Sequence, residues 1–522
     1  MTKKITTILI IWGLLFISAS VFAQKNTNSN PLINDKDLKT YMDFIASDAM
    51  RGRSTPSLEL NKAADYIAGE FKKFGLKPVN NSYFQSVDFC AADLNIPNCT
   101  FAMTKDGKTT DYVLKTDYTP TFETGSGEIS SQVIFAGYGI TAPEFKYDDY
   151  AGIDVKGKIV FILKHEPREN EDCKEFDGKD LSDYGSVEYK IKNAQEHGAA
   201  GVILATDPLN HLAITAQGYI WKSLYFPNSF KKFFKICTPN NSQKEIPVVV
   251  VNDKVVEAFF GSVDALKKIQ EQIDKELKPN SFLLNEISSV KLGVSVNKEI
   301  FPSSNVLGII EGKHPELKNE YIVVGAHYDH VGVTTKPENN DFIMNGADDN
   351  ASGTVGVMAL AKAFSQSTVK PDRGILFMLF TGEEKGLLGS EFYAEHPILP
   401  LDKTVAMINL DMIGRNDGDA VYVEGVKQNP ELSKIAIDLV KKAGLQQATM
   451  DRDMYMQSDH YSFYKNGVSA IGFTSGLHPD YHQVRDNPDK INYDKLHKIT
   501  QLSYYTIEKI ANQKIYFDIK KK

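Results

Sequence analysis

Residues 375–386 read Ile-Leu-Phe-Met-Leu-Phe-Thr-Gly-Glu-Glu-Lys-Gly. Six consecutive apolar side chains, Ile375 to Phe380, leave no polar face for water, so the segment is a strand buried on both sides. Thr381-Gly382 ends it, and two carboxylates follow at once. The same texture recurs at 305–310, 321–325, 405–410 and 470–473, while 351–364 carries Val355, Met358, Ala359, Ala361 and Ala363 at helical spacing. Strands buried on both faces and alternating with helices predict an α/β fold, a mixed, mostly parallel sheet flanked by helices. Two further helices are expected within 36–74, the second stopped by Gly75. The stretch between them, 50–56, is read as a surface loop, with a rim of the active cleft as the second reading.

From about 113 to 294 the texture changes. Strands are predicted at 133–136, 157–163, 202–204 and 246–251, with helices at 186–197, 255–260 and 263–273. No acid, histidine or serine cluster is expected to accompany them, so this stretch reads as a small α/β module inserted into the larger one. The expected organisation is a polar, disordered start at 24–35, a main domain from 36–115 and 296–520, and an insert at 116–295.

The N-terminus has Lys3 and Lys4, an apolar run from Ile5 to Phe22, and Val21-Phe22-Ala23 with small residues where a signal peptidase reads. That is the pattern of a cleavable signal peptide at 1–23 and of a periplasmic or secreted protein, with no membrane contact after cleavage. Removing it deletes two lysines and no acids, taking the formal charge from −8 to about −10. Nucleic acid is thereby disfavoured as a partner, because its recognition needs a basic footprint. Four cysteines remain, and of three possible pairings Cys90–Cys99 with Cys173–Cys237 is the one expected in an oxidising compartment.

In open α/β sheets the ligand site lies outside the carboxyl ends of the strands. His327, Glu383, Glu384 and Asp411 all fall just past a predicted strand end, and Asp348-Asp349 and His482 lie in loops rich in turn residues. Zinc takes imidazole nitrogen and carboxylate oxygen. Two histidines and three carboxylates suit two zinc ions: His327 and Asp411 on one, Glu384 and His482 on the other, and one aspartate of the Asp348-Asp349 pair bridging. Glu383 is then free to move protons as general base, and Asp329, two residues past His327, is placed to accept that ring's free N–H. His330 reads as structural and His478 as lining the cleft. Ser458-Asp459-His460 suggests a nucleophilic triad, but no Gly-x-Ser-x-Gly elbow presents a serine.

The segments GAHYDH, GADDNASG, FTGEEKGLLGS, INLDMIG and HPDYHQVRD resemble those of the co-catalytic zinc aminopeptidases, peptidase family M28. The resemblance implies a phosphorylase/hydrolase-like zinc-peptidase fold and two zinc ions per chain. It makes Asp349, three residues before Ser352-Gly353, the bridging acid, assigns Glu383 as base, and places Asp329 behind His327. The insert resembles a protease-associated domain in Gly137-Tyr138-Gly139-Ile140, in 150–158 and in 198–204. The implied activity is an exported metallo-aminopeptidase acting on peptides, with room for a protein partner at the inserted domain. A related zinc carboxypeptidase, a dipeptidase, a glutaminyl cyclase and a non-catalytic binding protein are the rival readings.

Overall fold

The computed structural model describes residues 32–173, 175–180, 182–227, 234–237, 245–450 and 454–517. The predicted signal peptide and residues 24–31 of the expected disordered start lie outside them. The helix Asp35–Ile45 begins at the last residue of that start, with the Asn34 side chain accepting the Asp37 N–H. No helix among the described residues is long and apolar enough to cross a membrane.

The chain forms two compact units, one of residues up to Phe89 with those from Phe301 on, the other Cys90–Ile300. The first is built on an eight-stranded sheet in the order Phe84–Ser86, Ser304–Ile310, Gly374–Phe380, Tyr321–His327, Thr404–Leu410, Ala470–Thr474, Ala420–Glu424, Gln446–Ala448. The strands from Gly374–Phe380 to Ala470–Thr474 run parallel, and their outer neighbours pair antiparallel. All seven residues of Gly374–Phe380 are buried. Ile375, Phe377 and Leu379 join the core shared with the helices Leu58–Phe74, Gly353–Gln366 and Tyr493–Ala511, while Leu376, Met378 and Phe380 join a second core with Tyr393 and Phe463. Alternate side chains thus feed two cores, each burial worth roughly 1.5–3 kcal/mol. Ser57 caps Leu58–Phe74 through the Leu60 N–H, and Gly75, at φ 85°, closes that helix. The strand predicted at 321–325 extends to His327, whose backbone registers with Phe380.

The second unit contains a six-stranded sheet, whose strands Val133–Ala136, Ile159–Leu163, Gly201–Ala205 and Val248–Val251 run parallel between antiparallel edges. A four-stranded antiparallel sheet joins it, with Thr100–Lys105 paired to Ile287–Val294. That pairing is why the compact unit spans 90–300 and not the expected 116–295: residues 90–111 contribute three strands to it. The expected disulfides are corrected too. Cys90 bonds Cys237, while Cys99 and Cys173 are free thiols. The strands Phe89–Leu94 and Phe234–Ile236 are sheet neighbours, which brings the two Cα atoms to 5.1 Å.

Candidate metal centre

The parallel register aligns the strand ends, so side chains distant in sequence converge at one edge of the sheet. His327 is the last residue of its strand, Asp411 directly follows Thr404–Leu410, and Glu383 and Glu384 begin the turn after Gly374–Phe380. Asp349 lies in the irregular turn Ala347–Ser352 that leads into the helix Gly353–Gln366. A Cβ on Gly353 would stand 2.2 Å from the Leu410 carbonyl, so only glycine lets that helix approach the strand bearing Asp411. His327 Nε2 lies 3.4 Å from Asp349 Oδ1, 3.5 Å from Asp411 Oδ1 and 3.8 Å from Glu383 Oε2. His482 Nε2 lies 2.9 Å from Asp349 Oδ2 and 3.1 Å from Glu384 Oε1. Two ligand clusters result: His327, Glu383 and Asp411, and beside them His330, Asp349, Glu384 and His482.

The donor set fits two metal ions. Asp411 Oδ1 and Asp349 Oδ2 are buried and accept no hydrogen bond, although each has an imidazole nitrogen close by. Buried carboxylate oxygens in that state are costly unless a cation answers them. Burial pushes Glu383 well above the usual carboxylate range and, with repulsion from Glu384, raises Asp349. Burial opposes ionisation of Glu384 as well, but hydrogen bonds from His330 and His482 hold it well below that range. Burial would lower His482, yet the facing carboxylates of Asp349 and Glu384 prevail and push it up to about 10. Three imidazoles and four carboxylates suit zinc.

With this geometry in hand, comparison with known proteins finds two family matches along the chain. Residues 305–507 match peptidase family M28, and residues 126–259 match the PA domain. The chain carries an M28 peptidase domain interrupted by a PA domain. Aminopeptidase YwaD of Bacillus subtilis is 25% identical over 389 residues, covering 71% of this chain and 68% of that protein. A glutamate carboxypeptidase 2 homolog of Caenorhabditis elegans is 23% identical over 549 residues, covering 87% of this chain and 64% of its own length. The solved structure of BSAP, a zinc aminopeptidase from Bacillus subtilis, shares 21% identity at a TM-score of 0.45, covering 92% of this chain and 96% of that one. Both clusters lie within residues 305–507, the stretch that matches peptidase family M28.

Several residues that position the M28 centre were not legible in the sequence. Arg53, in the stretch read as surface loop, is fully buried. Its guanidinium donates to the carbonyls of Tyr328, Ile45, Asn345 and Gly346, tying the exit of the His327 strand to the approach of Asp349. Asp486 accepts the N–H groups of both Asp348 and Asp349. Ser458 gives Asp411 Oδ2 a hydrogen bond of 2.7 Å, so the residue that suggested a nucleophile orients a candidate ligand. His330, read as structural, sits in the second cluster with Nδ1 at 2.9 Å from Glu384 Oε1. Asp348 faces Gly414 N and His478 Nε2, away from both clusters. His327 Nδ1 meets the carbonyl of Asp329 at 3.1 Å, and the Asp329 carboxylate stands 3.7 Å away. That carboxylate accepts the Thr55 hydroxyl and the Glu383 N–H instead.

Proposed function

We propose that this chain is an exported di-zinc aminopeptidase that hydrolyses N-terminal residues from peptides. The observation that carries the ligand assignment is Asp349, whose two oxygens face different histidines, Oδ1 toward His327 and Oδ2 toward His482. In this reading Asp349 bridges, His327 and Asp411 hold one ion, and Glu384 and His482 hold the other, with His330 donating to Glu384. Two zinc ions, when bound, polarise the scissile carbonyl and acidify the attacking water. Glu383 takes the proton from that water and delivers it to the leaving amine. Asp329 is the positioning residue: its carboxylate fixes the Glu383 N–H, and its carbonyl fixes the His327 ring.

A free amine is favoured over a free carboxylate as the recognised terminus because the guanidinium groups of Arg53 and Arg415 are already engaged. Arg53 is spent on four carbonyls, and Arg415 on Asp480 at 2.6 Å and Asp486 at 3.3 Å. A substrate ammonium would enter a site rich in carboxylates, where opposite charge is stabilised. Leucine arylamide and its N-acetyl form, assayed beside an N-blocked dipeptide with a free carboxylate, separate the readings. The expected result is cleavage of the unblocked arylamide alone, lost with chelator and restored by zinc. Turnover of the N-blocked dipeptide would establish a carboxypeptidase, and full activity after verified metal removal would refute the metal mechanism.

Export rests on the signal pattern at 1–23 and on the Cys90–Cys237 bond, which belongs to an oxidising compartment. The mature protein is expected to begin at Gln24, which N-terminal sequencing from the producing cell checks.

A further inference from the structure

The inserted unit was expected to lack any cluster of acids and histidines, and the structure overturns this. Strands Ile159–Leu163 and Gly201–Ala205 are parallel neighbours that end in register, Leu163 opposite Ala205. Two residues beyond each end stand His165 and Asp207, and four residues further along each loop stand Glu169 and His211. The ligand atoms of these four residues lie within 4.8 Å of one another. His165 Nδ1 is 2.5 Å from Asp207 Oδ1 and 3.4 Å from Glu169 Oε2. His211 Nε2 is 2.9 Å from Glu169 Oε1 and 3.3 Å from Asp207 Oδ1.

We propose that His165, Glu169, Asp207 and His211 form a further metal site, of zinc type, that clamps the two loops leaving these strands. It lies wholly within the insert and takes no residue from the M28 centre. Zinc–ligand bonds of about 2.0–2.2 Å in a tetrahedron place neighbouring ligand atoms roughly 3.3 Å apart, close to the separations here. Two imidazoles and two carboxylates form a neutral complex with a divalent ion, so the charges balance within the site.

The supporting groups point the same way. Asp207 is fully buried, and its other oxygen, Oδ2, accepts from Gln270 Nε2 at 3.0 Å and Asn210 Nδ2 at 3.1 Å, which turns Oδ1 toward the histidines. Gln270 is itself fixed, since its Oε1 accepts the Leu209 N–H at 2.8 Å. Glu169 is 7% exposed, and its buried Oε1 accepts no hydrogen bond although it faces the cluster. A carboxylate oxygen buried in that state is answered by a cation at lower cost than by a hydrophobic wall.

The test uses the full mature chain, stripped with chelator, verified metal-free and dialysed against buffered zinc, with zinc per chain measured by elemental analysis. Three ions are expected in the unaltered protein and two in His211→Ala, with peptidase activity unchanged in that variant. His211→Gln, at a half-exposed position, repeats the measurement with a side chain of similar length, and the melting temperature of each metal-free variant is expected to equal that of the unaltered metal-free protein. Asp349→Ala, which empties the M28 centre, is expected to keep a zinc-dependent rise in melting temperature that disappears when His211→Ala is added. Two ions in the unaltered protein and two in His211→Ala would overturn the site and leave a metal-free cluster of histidine–carboxylate contacts. One ion lost with His211→Ala alongside an M28 centre that binds none would uphold this site and refute the di-zinc reading, so the two failures are distinct.

Discussion

At Glu383 and Glu384 one peptide bond separates two carboxylates with opposite electrostatics. Glu384 is ionised by its two histidine donors, whereas burial drives Glu383 toward the protonated form. A proton carrier needs a pKa near working pH, and a ligand needs a permanent charge. Glu383→Gln is therefore expected to keep both zinc ions and lose about 10²–10⁴-fold in kcat, while Glu384→Gln loses one ion; metal content measured beside turnover checks the pair, and equal zinc loss in both would reverse the roles. The histidines set the pH response. With its metal-free pKa pushed up to about 10, His482 carries a proton throughout pH 5–8, and metal accepts only the neutral ring. Zinc uptake must expel that proton, so affinity should rise about tenfold or more per pH unit across this window and fall toward acid. Calorimetric titration of zinc in buffers of different ionisation enthalpy should show at least about one proton released per chain at pH 7.

Among the elements, the turns that follow the strands decide the geometry more than the strands do. Arg53 ties three segments together: the end of the helix Asp35–Ile45, the exit of Tyr321–His327 and the approach to Ala347–Ser352. Burial lowers its guanidinium to about 10, and the carboxylates of Asp329 and Asp349 offset part of that cost. Removing it orphans four carbonyls. Arg53→Ala is expected to destabilise the metal-free protein by about 3–5 kcal/mol, read by denaturant unfolding, and to weaken zinc binding through Asp349. Lysine should rescue little, because an ammonium cannot reach four acceptors in a planar fork.

For the whole molecule, the Cys90–Cys237 bond closes a loop over a sequence separation of 147 inside the insert. Cross-links across loops this long typically stabilise by about 2–5 kcal/mol. Cys90→Ser with Cys237→Ser should lower the unfolding free energy of the insert by that order while leaving zinc content and kcat at the M28 centre unchanged. A two-step melt in which only one step moves would show that loss, and a single shifted transition would show that the units unfold together.

Unbroken apolar runs determined the strands, because a segment with no polar face can only be buried on both sides, and glycine and carboxylates at the ends of those runs marked the ligand edge. Residues 375–386 alone gave one strand, its stop and two functional acids. What tertiary structure decided were the pairings between distant segments: the strands of 90–111 that joined the insert, the partner of Cys90, the burial of Arg53, and the meeting of His165 and Glu169 with Asp207 and His211. A local pattern carries its own periodicity in the sequence. Contact between segments tens to hundreds of residues apart depends on strand order and register, which leave no local trace in the chain.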